Sequence, residues 1–250
     1  GSITMTGGQF IATALDQTSL LTVRAKPATI DADVTFSPGS TNALDADLML
    51  LHDSIVHAGA AVFGSGSLIN TATGRLNLDD ASTIETPLVN RGELVLGITP
   101  AAPIAAAASV KQFTQTTGGV IGFDLLVDKT SRAHDQLIVG GPADLAGQAN
   151  LSVNTTDDLV IGEVFPLITA GDVSGAFSAV GGVLIGPVSG YDSGLAILYE
   201  TDAVSARVSM LGDADVNDNV DLNDAGILVA NFNTGNGKTW ADGDFTGDGQ

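Results

Sequence analysis

Apolar and polar residues alternate in short runs over the first 210 positions. The clearest are Arg75-Leu-Asn-Leu78, Glu93-Leu-Val-Leu96, Asn150-Leu-Ser-Val153 and Gly194-Leu-Ala-Ile-Leu198. A period of two places one set of side chains in a core and the other toward water, so these runs predict half-buried β-strands. Turn residues recur every eight to twelve positions, as at Ser37-Pro-Gly39, Gly64-Ser-Gly66, Asn90-Arg-Gly92, Gly118-Gly119, Gly140-Gly-Pro142, Asp157-Asp158, Gly171-Asp172 and Ser189-Gly190. The one helix-friendly stretch, 101–110, is Ala-rich but contains Pro103, so it fits a linker or a buried strand edge as well as a helix. Residues 203–210 alternate like a strand, and then the period changes. Leu222, Ala225, Val229 and Phe232 form one stripe at helical spacing, predicting a helix that Asn233-Thr-Gly235 ends.

The strand pattern repeats. Leu68-Ile-Asn70 followed by Gly74-Arg-Leu76-Asn-Leu78 matches Leu88-Val-Asn90 followed by Gly92-Glu-Leu94-Val-Leu96, with the two Asn residues 20 apart. That period suits one coil of a parallel β-solenoid, in which each coil buries its apolar face only by stacking on its neighbours. Asn70 and Asn90 would then stack as a ladder at one turn. Two ordinary hairpins of a β-sandwich are the competing arrangement.

Composition narrows the picture. With 250 residues, 44% of them hydrophobic, the chain supports one large domain and a small one. The net charge of −20 comes mostly from Asp, which outnumbers Glu 25 to 4. So acidic a chain does not track nucleic acid and is repelled by anionic membrane surfaces. The absence of Cys excludes disulfides and thiolate metal sites, and no run of 18 apolar residues is present to span a membrane as a helix. Gly1-Ser-Ile-Thr-Met5 carries neither a basic nor an apolar leader region, so the chain is expected to begin inside a longer, secreted precursor. Residues 212–250 hold eight Asp and a single Lys, which places a boundary near residue 210 and divides the chain into domains 1–210 and 211–250.

The acidic end carries the chemistry. Residues 213–224 read Asp-Ala-Asp-Val-Asn-Asp-Asn-Val-Asp-Leu-Asn-Asp. Calcium takes six to eight hard oxygen ligands, and a twelve-residue loop supplies them from positions 1, 3, 5, 7, 9 and 12. These positions are Asp213, Asp215, Asn217, Asn219 through its carbonyl, Asp221 and Asp224. Val220 at position 8 is expected to turn into the core. Position 6, ordinarily Gly, is Asp218, which tolerates positive φ better than most residues. The pattern restarts 31 residues later, where Asp244, Thr246, Asp248 and Gln250 occupy positions 1, 3, 5 and 7, and breaks off there. Several carboxylates gathered without a cation repel one another, so metal binding is expected to order residues 212–250 and to leave the β domain unaffected.

Two resemblances follow from these residues. Residues 212–250, with duplicated loop–helix segments and a strand in place of an entering helix, resemble a dockerin type I module. This resemblance implies Ca²⁺ as the bound ion and a cohesin-like protein or cell-surface component as partner. Positions 10 and 11 help choose the partner in that family. Here they are Leu222 and Asn223 rather than the usual Ser and Thr. The series Phe113-Thr-Gln-Thr-Thr-Gly-Gly-Val-Ile-Gly-Phe-Asp124, His134-Asp-Gln-Leu-Ile-Val139, Ala143-Asp-Leu-Ala-Gly147, Val164-Phe-Pro-Leu-Ile-Thr-Ala170 and Val173-Ser-Gly-Ala-Phe177 resembles the C-terminal part of autotransporter passenger domains. It implies an all-β fold, a right-handed parallel β-helix with a β-rich end cap, and no catalysis.

Catalytic patterns are sparse. The histidines, His52, His57 and His134, lack zinc-site spacing, and no Gly-x-Ser-x-Gly elbow occurs. Asp31 with Asp33, and Asp157 with Asp158, are the candidate carboxylate pairs for glycoside hydrolysis, and both read better as turns. The expectation is a non-catalytic extracellular structural or adhesive protein assembled through its tail. The alternative is a polysaccharide-degrading β-helix hydrolase or lyase, or its accessory region.

Overall fold

The computed structural model describes residues 2–5, 8–17, 20–97, 105–127, 132–154, 159–232, 234–235 and 238–249. Its strands join in one 24-stranded, mostly parallel sheet. The pairings resolve into three parallel stacks. The first runs through Ser2–Met5, Leu20–Val23, Thr41–Leu44 and Ala61–Phe63 to the start of Thr83–Asn90, then the start of Ala107–Gln115, Gln136–Val139 and the end of Val164–Thr169. The second starts at the front of Gly8–Gln17 and of Ala28–Phe36. It continues through Leu48–Leu50, Leu68–Asn70, the ends of Thr83–Asn90 and Ala107–Gln115, Pro142–Leu145 and Asp172–Gly175. The third takes the ends of those two long early strands, then Asp53–Val56, Arg75–Leu78, Glu93–Leu96, Val120–Val127, Gln148–Val153 and Ala179–Gly181. The chain therefore visits the three stacks in turn and returns to each one layer further on. The stacked-coil expectation holds, and the sandwich of hairpins does not.

Alternation in the sequence becomes alternation in burial. Along Ala28–Phe36 the inward set Ala28, Ile30, Ala32, Val34 and Phe36 is buried, while the residues between reach water. Leu48, Leu68 and Leu88 fall in register at 20-residue steps, each fully buried, so like apolar residues form columns down the core. Each buried Leu contributes about 1.5–3 kcal/mol by leaving water.

The Asn ladder is present and longer than the repeat implied. Asn70 Nδ2 donates to Asn90 Oδ1 at 2.9 Å, Asn90 Nδ2 donates to Gln115 Oε1 at 3.3 Å, and Gln115 Nε2 donates to the Gln148 carbonyl at 2.8 Å. Gly92 lies against this column because a Cβ there would collide with the carbonyls of Gly74 and Thr71 in the coil below.

The stack ends in antiparallel structure. Leu184–Val188, Tyr191–Tyr199 and Ala203–Met210 form a meander, and its last strand also pairs antiparallel with Val164–Thr169. One α-helix, Leu222–Asn231, and one 3-10 turn, Trp240–Asp242, follow. The helix is as expected, and the strand Ala203–Met210 stands where an entering helix would be. Asn233 of the expected stop signal, residues 101–104 of the Ala-rich stretch, and the carboxylate pair Asp157–Asp158 lie outside the described residues, while the end of that stretch runs into the strand Ala107–Gln115.

Candidate metal centre

The loop after Ala203–Met210 is built by its first and last acids. Asp213 is fully buried. Its Oδ1 accepts the Asn217 N–H at 2.9 Å, and its Oδ2 accepts the Asp218 N–H at 3.1 Å and the Ser209 hydroxyl at 2.7 Å. Asp224, also buried, accepts the N–H groups of Ala214 at 2.8 Å and Asp215 at 3.2 Å on Oδ1, and that of Asp221 at 2.7 Å on Oδ2. Asp224 thereby draws the loop's two ends together. It also completes a capping box with Asp221, whose side chain accepts the Asn223 N–H and starts the helix.

One potential ligand oxygen each from Asp213, Asp215 and Asp224 lies within 4.8 Å of the others. At such separations three carboxylates repel strongly unless a cation neutralises them. Lost hydration, then the charges of Asp224, Asp213 and Asp221, hold the Asp215 carboxyl above its ordinary value. Backbone donation, chiefly from the Asp221 N–H, holds that of Asp224 below it. The donor set is all oxygen and suits a hard divalent ion.

The other predicted ligands are arranged differently. Asn217 turns its amide nitrogen to Asp215 Oδ2 at 2.9 Å, and its oxygen accepts the Asn219 N–H at 2.9 Å. Asp221 acts as the helix N-cap. In the second loop Asp244 is buried. Its Oδ1 accepts the Thr246 N–H, the Thr246 hydroxyl and the Gly247 N–H, and its Oδ2 accepts the Gly249 N–H at 2.8 Å. Among the described residues only the first loop gathers three acids, and Gln250 lies outside them.

The duplication is visible in the backbone. Positive φ occurs at Gly212, Val216 and Asp218, and again at Gly243, Gly247 and Gly249, each pair 31 residues apart. Asp218 adopts the expected left-handed conformation, with φ at 68°. Val216 does so at 58°, a costly state for a β-branched residue, and is held there by Arg207, whose guanidinium donates to the Val216 carbonyl.

One expectation is corrected. Val220 does not turn into the core but is 55% exposed. The helical stripe also faces outward, with Leu222 at 88%, Val229 at 77% and Phe232 at 78% exposed. Packing against the β domain comes from Trp240 instead. Sequence reasoning also missed Arg207 and Ser209 on the preceding strand. The available signal was that Arg207 is the one cation in an otherwise small-residue alternating run.

Of the three histidines, two pair with carboxylates one coil away, His52 with Asp31 at 2.6 Å and His57 with Asp79 at 3.3 Å, while His134 stacks edge-on against Phe165. Asp31 also accepts from Gln9 at 2.8 Å. No protein-family model matches this chain, and no curated protein matches it.

Proposed function

We propose that this protein is a non-catalytic extracellular structural or adhesive element, a right-handed parallel β-helix that binds Ca²⁺ through a dockerin-like tail and assembles through it with a cohesin-like protein or a cell-surface component. The convergence of Asp213, Asp215 and Asp224 carries this reading. It occurs in a twelve-residue loop whose left-handed positions recur in a second loop 31 residues on. The exposed apolar face of the helix beside that loop supports an assembly role, because soluble surfaces rarely align large apolar side chains without a partner. Calorimetric titration of the full chain with Ca²⁺ should release or absorb heat at a saturable site, and Asp213→Asn with Asp224→Asn should abolish it. A flat titration of the unsubstituted chain at millimolar Ca²⁺ would refute the reading.

A second reading, a polysaccharide-degrading β-helix or its accessory region, is favoured by one feature. A furrow of about 230 Å³ on the outer face of the third stack is lined by Arg75, Glu93, Asp124, Asn150 and Ser152 among others. If it degrades polysaccharide, reducing-sugar release should fall on substituting Glu93→Gln or Asp124→Asn.

A further inference from the structure

The boundary between tail and β domain is crossed by the contacts that shape the cation loop. Ser209, buried on the last β-strand, donates to Asp213, the loop's first ligand. Arg207, two residues earlier on that strand, donates from Nη2 to both carboxylate oxygens of Asp218 at 2.9 Å and from Nη1 to the Val216 carbonyl. It thus clamps the two left-handed residues that give the loop its curvature. From the other side Trp240 Nε1 donates to the Asp213 carbonyl at 2.7 Å.

The Trp240 ring is only 4% exposed and lies over Gly194, where a Cβ would sit 2.8 Å from it. Phe245 packs edge-on to it, with ring centroids 5.0 Å apart. The second loop is tied as well, since the Gly247 carbonyl accepts the Val180 N–H at 2.7 Å from the last layer of the third stack. Phe177, Val180, Val183, Leu195, Ile197 and Tyr199 form the apolar floor beneath Trp240.

We propose that the cation site belongs jointly to the tail and the β domain. Arg207, Ser209 and Trp240 are its positioning residues, and cation occupancy seats the tail as the end cap of the strand stack. This inference rests on the cation reading above and revises the expectation that metal removal leaves the β domain unaffected. A ligand held by groups on rigid strands gains affinity from those supports, and by reciprocity the bound ion stiffens them.

The test uses the full chain, with Ca²⁺ affinity from calorimetry, Trp240 quenching by acrylamide, and amide exchange over residues 191–210, each with and without Ca²⁺. Trp240 is the sole tryptophan, so its signal is specific. Ca²⁺ is expected to lower Trp240 quenching and slow exchange in residues 191–210 as well as in the tail. Ser209→Ala and Arg207→Gln should weaken Ca²⁺ binding by about 10-fold, with Arg207→Lys recovering only part because its single ammonium cannot hold Val216 and Asp218 as the two guanidinium nitrogens do. Ca²⁺ heat without any change in Trp240 or residues 191–210, and affinity unchanged in both variants, would overturn the joint site while leaving the cation reading intact. Absence of heat in the unsubstituted chain would overturn both.

Discussion

At Asn90 a single amide accepts from Asn70, donates to Gln115 and donates again to the Val120 carbonyl at 3.0 Å, all out of reach of water. Removing it takes one hydrogen-bond partner each from Asn70, which keeps the Glu93 carbonyl, from Gln115 and from the Val120 carbonyl, and unsatisfied buried groups cost about 1–3 kcal/mol each. Asn90→Ala should therefore lower the urea midpoint by the equivalent of about 2–4 kcal/mol, read from chemical denaturation with an unchanged slope. Asp135 is a different buried residue. Its two oxygens accept the Ala106 and Asp124 N–H groups at 2.8 Å each, yet burial pushes its carboxyl up to about 7. The folded chain then holds this proton more tightly than the unfolded chain, whose carboxyl titrates near 3.8. Its contribution to stability is fully present below that lower value, declines as pH rises toward 7, and is level above. Asp135→Asn should flatten that part of the stability-versus-pH curve, measured by denaturant titration at several pH values. An unaltered curve would remove Asp135 as its source. The Asn70–Asn90 pair was legible because the two residues share a type and a 20-residue spacing. Gln115 extends the ladder after 25 residues with a longer side chain, so no repeat announced it.

The helix Leu222–Asn231 shows how far an element can be read. Its apolar spacing and its Asp-rich start both survive in the structure, the latter as a reciprocal capping box. What the spacing could not tell was what covers the stripe. Periodicity establishes that Leu222, Val229 and Phe232 share a face, but burial depends on elements elsewhere, and here the tail is anchored by Trp240. Because the stripe faces water, Val229→Ser combined with Phe232→Ser should change thermal stability by no more than about 0.5–1 kcal/mol. A loss of several kcal/mol in a melting experiment would mean that the stripe is core after all. The strands were legible for the opposite reason: a stacked coil covers one face of every strand, so period two translates directly into burial.

The whole molecule is a column of stacked coils whose last layers turn antiparallel and carry an acidic loop on their edge. The three-stack arrangement joins residues 18 to 31 positions apart, such as Arg75 with Glu93 and Leu137 with Ile168, and the unequal coils hid it beyond the first repeat. The tail's union with the sheet was likewise hidden, since Ser209 and Arg207 read as ordinary positions of an alternating strand. A ligand that binds only the folded chain stabilises it by about 2.7 kcal/mol at 100 times its dissociation constant, so Ca²⁺ should raise the cooperative melting temperature of the full chain and chelation should lower it. The gathering of Asp213, Asp215 and Asp224 around one cation is tested most directly by terbium luminescence excited through Trp240, whose indole nitrogen lies 2.7 Å from the Asp213 carbonyl. Emission should saturate with terbium, be displaced by Ca²⁺ and vanish in Asp213→Asn. Emission that never rises, or that persists unchanged in Asp213→Asn, would contradict the site.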